Sequence, residues 1–297
     1  MKDLKKWLIA CLVIGGLVLT ACSSEDTPDE VEEIVMGFVP SSESDKIADT
    51  IEPLAEELSN VLGMPVRGQV MVDYSGLVEA MGSGNVHIGF LPAFGYVLGE
   101  ERYDFEVILK SERNGSDSYR AQFVVREDSG IETIEDLEGK LWGFADVSSP
   151  AGYLFPAAHL AENYNVDDVE AFFGDAIQTG SNDGALITLY EEEIDVATTF
   201  EDARTVLLND YPDVMDELKV IEYTGEIPND TITVIPGLDA EMKADIKAAF
   251  LSFNENEDII QIMNDIYRWD GIREAEDADY DIVRETYDRF RESISID

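Results

Sequence analysis

Histidine and cysteine, the residues that most often carry catalysis or hold a transition metal, are nearly absent from this chain. Its 297 residues include two histidines, His87 and His159, and two cysteines, Cys11 and Cys22. No His-x-x-His or Cys-x-x-Cys spacing offers a zinc site. No Gly-x-x-x-x-Gly-Lys loop cradles phosphates, no Gly-x-Ser-x-Gly elbow presents a nucleophile, and no twelve-residue EF-type loop awaits calcium. The expectation is a protein that is not an enzyme and takes neither cofactor nor metal. What remains is the chemistry of recognition. Ser148 and Ser149 stand just ahead of a helical stretch that begins near Gly152, and Ser181 and Asn182 stand just ahead of another beginning near Asp183. The free backbone N–H groups and positive dipole end of a helix suit an anion there. Serine and asparagine also cap helices at such positions without any ligand, and both readings are open.

The elements that position these residues follow a leader. Lys2, Lys5 and Lys6 form a basic start, Trp7 to Thr20 an apolar run of 14 residues, and Leu19-Thr20-Ala21-Cys22 resembles the bacterial lipobox. That run is shorter than the roughly 20 residues a membrane helix needs. It reads as a signal peptide over 1–21, with Cys22 acylated and first in the mature chain. Both cysteines lie at or before the cut, so the mature part has no disulfide and is held by its core alone. Residues 22–33 are an acidic, flexible tether. The chain carries 64 acidic residues against 20 basic ones, a net of −44. Such a surface repels nucleic acid and anionic headgroups, and it suits a saline or alkaline medium, where screening weakens self-repulsion.

From Ile34 onward, buried-strand runs alternate with helical spacing. Ile34–Val39 reads as a strand, and Ile47, Ile51, Leu54 and Leu58 mark a helix closed by Gly63. Strands near Val66–Val72 and His87–Leu91 enclose a helix from Ser75 to Met81. The same grammar returns between Gln122 and Tyr223, with a helix expected over Phe200–Leu208, and the tail from Asp239 reads as mainly helical. Alternation in two blocks predicts two α/β lobes with helices on both sheet faces. Residues 34–118 plus 226–297 make lobe 1 and 119–225 make lobe 2, with crossings near Tyr119–Arg126 and Leu218–Tyr223. Ligands in such folds sit beyond the C-terminal strand ends, so two facing edges form a cleft.

Four segments resemble a known family: Asp73-Tyr74-Ser75-Gly76-Leu77-Val78-Glu79-Ala80-Met81, Asp136-Leu137-Glu138-Gly139-Lys140, Ser148-Ser149-Pro150-Ala151-Gly152-Tyr153-Leu154-Phe155-Pro156 and Gly180-Ser181-Asn182-Asp183-Gly184-Ala185-Leu186. In this order they are similar to the phosphate/phosphite/phosphonate-binding (PhnD-like) substrate-binding lipoproteins of ABC importers. The resemblance implies a two-lobed periplasmic-binding-protein fold of type II. It also implies a small-molecule ligand, an ABC permease and ATPase as partners, and a lipid-anchored place on the outer side of the cell membrane. It makes Ser148, Ser149, Ser181 and Asn182 donors to an anion, Tyr74 the cleft tyrosine, and Glu201 and Asp230 carboxylates for a ligand amine; Tyr119, at the first crossing, is expected to close the other side of the cleft. The sequence departs from the family pattern twice. Pro150-Ala151 stands where members carry further hydroxyls and an N–H, and Asn182 stands where many carry histidine, so no positive charge comes from that position. An aminoalkylphosphonate-type zwitterion is the ligand these residues favour. A non-phosphorus solute, or a sensory surface lipoprotein without transport, is the alternative.

Overall fold

The computed structural model describes residues 31–40, 44–166 and 168–291. The leader, Cys22 and most of the tether lie outside the described residues. In chain order the elements begin with β1 (Ile34–Phe38), α1 (Ser44–Leu62), β2 (Val66–Val70), α2 (Tyr74–Gly82), β3 (Ile88–Leu91), α3 (Ala93–Tyr103) and β4 (Glu106–Glu112). The middle runs β5 (Ser118–Arg126), β6 (Leu141–Phe144), α4 (Phe155–Tyr164), α5 (Val169–Phe172), β7 (Asp175–Gln178), α6 (Asn182–Tyr190), β8 (Val196–Phe200), α7 (Val214–Glu217) and β9 (Leu218–Pro228). The chain ends with β10 (Thr231–Val234), α8 (Ala240–Ser252), α9 (Glu257–Tyr267), β11 (Gly271–Glu274) and α10 (Asp281–Phe290).

Two sheets result. One has the order β11-β4-β10-β3-β1-β2 and the other β7-β6-β8-β5-β9. β1 pairs in parallel with β2 and β3, and β6 with β7 and β8. β10 lies antiparallel between β3 and β4, and β5 lies antiparallel between β8 and β9. Every residue of β1 is buried, which fits an apolar run in a central strand covered on both faces. Ile47, Ile51, Leu54 and Leu58 of α1 are buried as their spacing predicts. The first core gathers around Phe38 and Phe90, stacked at 4.3 Å, with Phe250 and Trp269 against Phe90. In the second, Trp142 packs on Phe144, Tyr153 and Phe173, and its Nε1 donates to Thr198 Oγ1 at 2.7 Å. Burying an indole this way needs a partner for its N–H, and Thr198 supplies it.

The architecture is thus two α/β lobes, as the alternation predicts. The connections differ from the expectation. Tyr119–Arg126 and Leu218–Tyr223 do not cross between sheets; they lie within the second one, paired as β5 and β9 from Ser118↔Pro228 to Arg126↔Leu218. The chain passes between sheets over 113–117 and 229–230. These short strands of connection are tied together: Asn229, fully buried, donates through Nδ2 to the carbonyls of Ser111 and Ser116, and Ser111 N donates to Asp230 O at 2.9 Å. The helix expected over Phe200–Leu208 is shorter than predicted: β8 ends at Phe200, Asp202 takes a left-handed turn, and a short 3-10 helix follows over Ala203–Leu207.

Candidate functional site

A cavity of about 300 Å³ lies beyond the C-terminal ends of parallel strands from both sheets. Val39 follows β1, Phe90 is the penultimate residue of β3 and Pro92 follows that strand, and Phe200 ends β8; all four stand in its wall. This is the edge at which open α/β sheets present loops and helix starts. Of the residues predicted from sequence, Tyr74, Tyr119, Ser149, Asn182 and Asp230 line this cavity. Ser148, Ser181 and Glu201 do not.

Ser149 caps the turn that leads into α4: its Oγ accepts from Gly152 N at 3.0 Å, which leaves the hydroxyl proton available to a ligand. Ser148 is spent inward. Its backbone N–H and its hydroxyl both donate to Asp146 Oδ1, at 2.8 and 2.7 Å, and Asp146 is itself buried. Ser75, at the start of α2 in the other lobe, donates to the same oxygen at 3.4 Å, so Asp146 ties the lobes together at the cavity edge. Ser181 is the cap of α6, accepting from Gly184 N at 3.0 Å. Asn182 follows it, buried, and its Nδ2 reaches across to Tyr74 OH at 3.2 Å, a second bond between lobes.

Tyr74 and Tyr119 are both buried. Burial first, then the charges of Asp230 and Asp146, hold the Tyr74 phenol far above its ordinary range; burial and Asp230 do the same for Tyr119. Both are therefore neutral O–H groups throughout the physiological range, donors suited to an oxyanion.

The two predicted amine-binding carboxylates are already engaged. Glu201 sits in the neighbouring cavity, where Oε2 accepts from Arg120 Nε and Nη2 at 3.1 and 2.8 Å and Oε1 from Arg120 N. The Arg120 guanidinium lies over the Tyr223 ring at 4.2 Å. Asp230 stays in the main cavity, ion-paired with Arg113, and Trp269 Nε1 adds a long contact at 3.4 Å; both fall on Oδ2. Arg113 was not predicted. Its guanidinium lies 5.3 Å from the centre of the Tyr119 ring and 5.7 Å from that of Phe200, between the two cavities. The turn that carries it, Arg113-Asn114-Gly115-Ser116, was legible: Asn-Gly is a strong turn signal, and both residues have positive φ. Asp183 also lines the cavity, its Oδ1 accepting from Gly184 N at 2.9 Å.

Among the described residues no group of three His, Cys, Asp or Glu side chains is arranged to hold a metal ion, and no helix is long and apolar enough to cross a membrane.

The chain matches the family model described as "ABC transporter, phosphonate, periplasmic substrate-binding protein" over residues 36–280. It is 27% identical to the phosphate-import protein PhnD of Mycolicibacterium smegmatis, with 92% of each chain covered. Its fold is similar to that of a binding-protein component of an ABC phosphonate transporter from Pseudomonas aeruginosa, with a TM-score of 0.80 at 21% identity, covering 88% of this chain and 87% of that one. A Prochlorococcus marinus protein solved in complex with methylphosphonate superposes with a TM-score of 0.77 at 17% identity, covering 88% and 98%. At such identities these two structures speak for the fold alone.

Proposed function

Because this chain belongs to the phosphonate periplasmic substrate-binding proteins of ABC transporters, we propose that it captures a small phosphonate-, phosphite- or phosphate-like solute between its lobes, with Tyr74, Tyr119, Ser149 and Asn182 as direct contacts. Its fold is the two-lobed one of periplasmic binding proteins, and the family serves a permease and its ATPase. The observation that carries the reading is the convergence of neutral O–H donors, Tyr74, Tyr119 and Ser149, on one cavity between the lobes. Three hydroxyls and a helix start can replace much of the water that an oxyanion loses on being enclosed. The Asn182–Tyr74 and Ser75–Asp146 bonds join the lobes beside that cavity, so releasing a ligand requires breaking them.

Calorimetric titration with methylphosphonate, phosphite and phosphate tests the proposal. At least one should bind, and Tyr74→Phe should weaken it by about tenfold or more, the worth of one hydrogen bond to a charged group at roughly 1.5–3 kcal/mol. An unchanged affinity in Tyr74→Phe removes Tyr74 from the site. The narrower ligand expected from the sequence, an aminoalkylphosphonate-type zwitterion, needs Glu201 or Asp230 for its amine, and each of these is already paired, with Arg120 and with Arg113. Anchoring through acylated Cys22 belongs to the same proposal. Cys22→Ser should abolish incorporation of labelled fatty acid, and label persisting in that variant defeats the anchor.

A further inference from the structure

The sequence leads one to expect Asp230 to receive a ligand's ammonium group. In the folded chain a cation already occupies it. Arg113 pairs with Asp230 inside the cavity wall, and both side chains are largely withdrawn from solvent, 14% and 13% exposed. The pair is held on both sides. Trp269 Nε1 contacts the same Asp230 oxygen, and the Tyr119 and Phe200 rings flank the guanidinium. Arg113 and Asp230 also stand on the two segments that join the lobes, and the backbone bond from Asn229 N to Asp117 O, 3.0 Å, fixes those segments against each other. The guanidinium is therefore positioned by packing as well as by charge. Its Nε is buried and bonded to no group among the described residues, so Asp230 is the partner on which its placement depends. The other carboxylates of the wall are less suited to an amine: Asp183 accepts from the N–H of Gly184, and Asp265 from Gln261 Nε2 at 2.7 Å.

We infer that Arg113 sets the class of ligand: its guanidinium fills, from within the chain, the place at Asp230 that a ligand ammonium would take, so the site selects amine-free phosphorus oxyanions against aminoalkylphosphonates. The inference rests on the phosphonate-class reading of the cavity. An amine entering this site must displace or share a guanidinium held by an ion pair and two rings, while its own positive charge meets another at short range. An amine-free oxyanion meets no such competitor, and it finds a cation in the wall despite the lack of histidine at Asn182.

The matched probes are ethylphosphonate and 2-aminoethylphosphonate, which differ only by the amine. Calorimetric affinities are compared for the wild type, Arg113→Met, which keeps the unbranched apolar stem and loses the charge, and Arg113→Lys, which keeps the charge. The wild type should prefer ethylphosphonate by tenfold or more. Arg113→Met should reduce that ratio at least tenfold, and Arg113→Lys should keep most of it. An equal ratio in the wild type and Arg113→Met, with both ligands binding, overturns the inference, as does a wild type that prefers the amino compound. Binding of neither probe by the wild type instead overturns the phosphonate-class reading, and the inference with it. Should Arg113→Met fail to fold, Asp230→Asn decides. Freeing the guanidinium should tighten ethylphosphonate several-fold, whereas unchanged ethylphosphonate with weakened 2-aminoethylphosphonate would show that Asp230 binds the amine directly.

Discussion

Tyrosine 74 illustrates how a single side chain serves both the cavity and the pH limits of the fold. Burial raises the phenols of Tyr74, Tyr119, Tyr267 and Tyr280 above their ordinary value of about 10. In the unfolded chain they ionise near that ordinary value. Their contribution to stability is therefore complete below about pH 10 and is lost as the pH rises beyond it, because the unfolded state then releases protons that the native state keeps. Melts between pH 8 and 11.5 should show the stability these four contribute falling only above about pH 10, with their share of the phenolate absorbance at 295 nm, beyond that of the more accessible tyrosines, rising together with unfolding. Phenolate from these four residues in a chain that keeps its native circular dichroism contradicts that assignment. Tyr74 and Tyr119 could be singled out from residue type and from the segments around them. Arg113 could not. In Lys110-Ser111-Glu112-Arg113 the charges look like those of an exposed edge, and only β10 and β11, drawn in from more than a hundred residues away, cover that strand and turn Arg113 to the cavity.

Helix caps separate structural from ligand-facing roles among residues that look alike in sequence. Ser149 and Ser181 each accept from the N–H three residues on, so replacing either with alanine should cost about 1 kcal/mol of stability in denaturant titrations. Only Ser149→Ala should also weaken the ligand, since Ser149 lines the cavity and Ser181 does not. Equal losses of affinity in the two variants would return Ser181 to the site. Elements with amphipathic spacing, such as α1, were legible because one face is wet. α3 was not. From Ala93 to Gly99 it is buried on every side, so no polar face marks its period, and its two glycines read as breaks. Close packing explains one of them: a Cβ on Gly99 would stand 2.1 Å from the Phe105 ring. Gly99→Ala should destabilise the fold by about 1–3 kcal/mol through overpacking, against the small gain alanine brings to an open helix.

At the scale of the molecule the acidic excess dominates. With a net charge of −44, like charges repel across the whole surface, and the pairs that relieve that repulsion, such as Lys110 with Asp117 and Asp279, draw on only 20 basic residues. Raising NaCl from about 10 mM to 1 M shortens the screening length from roughly 30 to 3 Å, so the melting temperature should rise with salt. A melting temperature that falls over that range means that the ion pairs outweigh the repulsion. The two-block organisation was visible because strands and helices alternate locally. The insertion of β10 between β3 and β4 was not, since nothing near Thr231–Val234 names partners so distant in sequence. That return path has an outcome for how such a protein can change over generations. Arg113 and Asp230, the charged pair of the cavity, are also the residues at which the chain leaves and re-enters the first sheet. On the proposed reading, recognition and the connection between the lobes are thus written in the same few positions. A lineage that altered this pair to reach a new solute would at the same time alter the ion pair that joins the two connecting segments, so a change of cargo would carry with it a change in how the lobes are held.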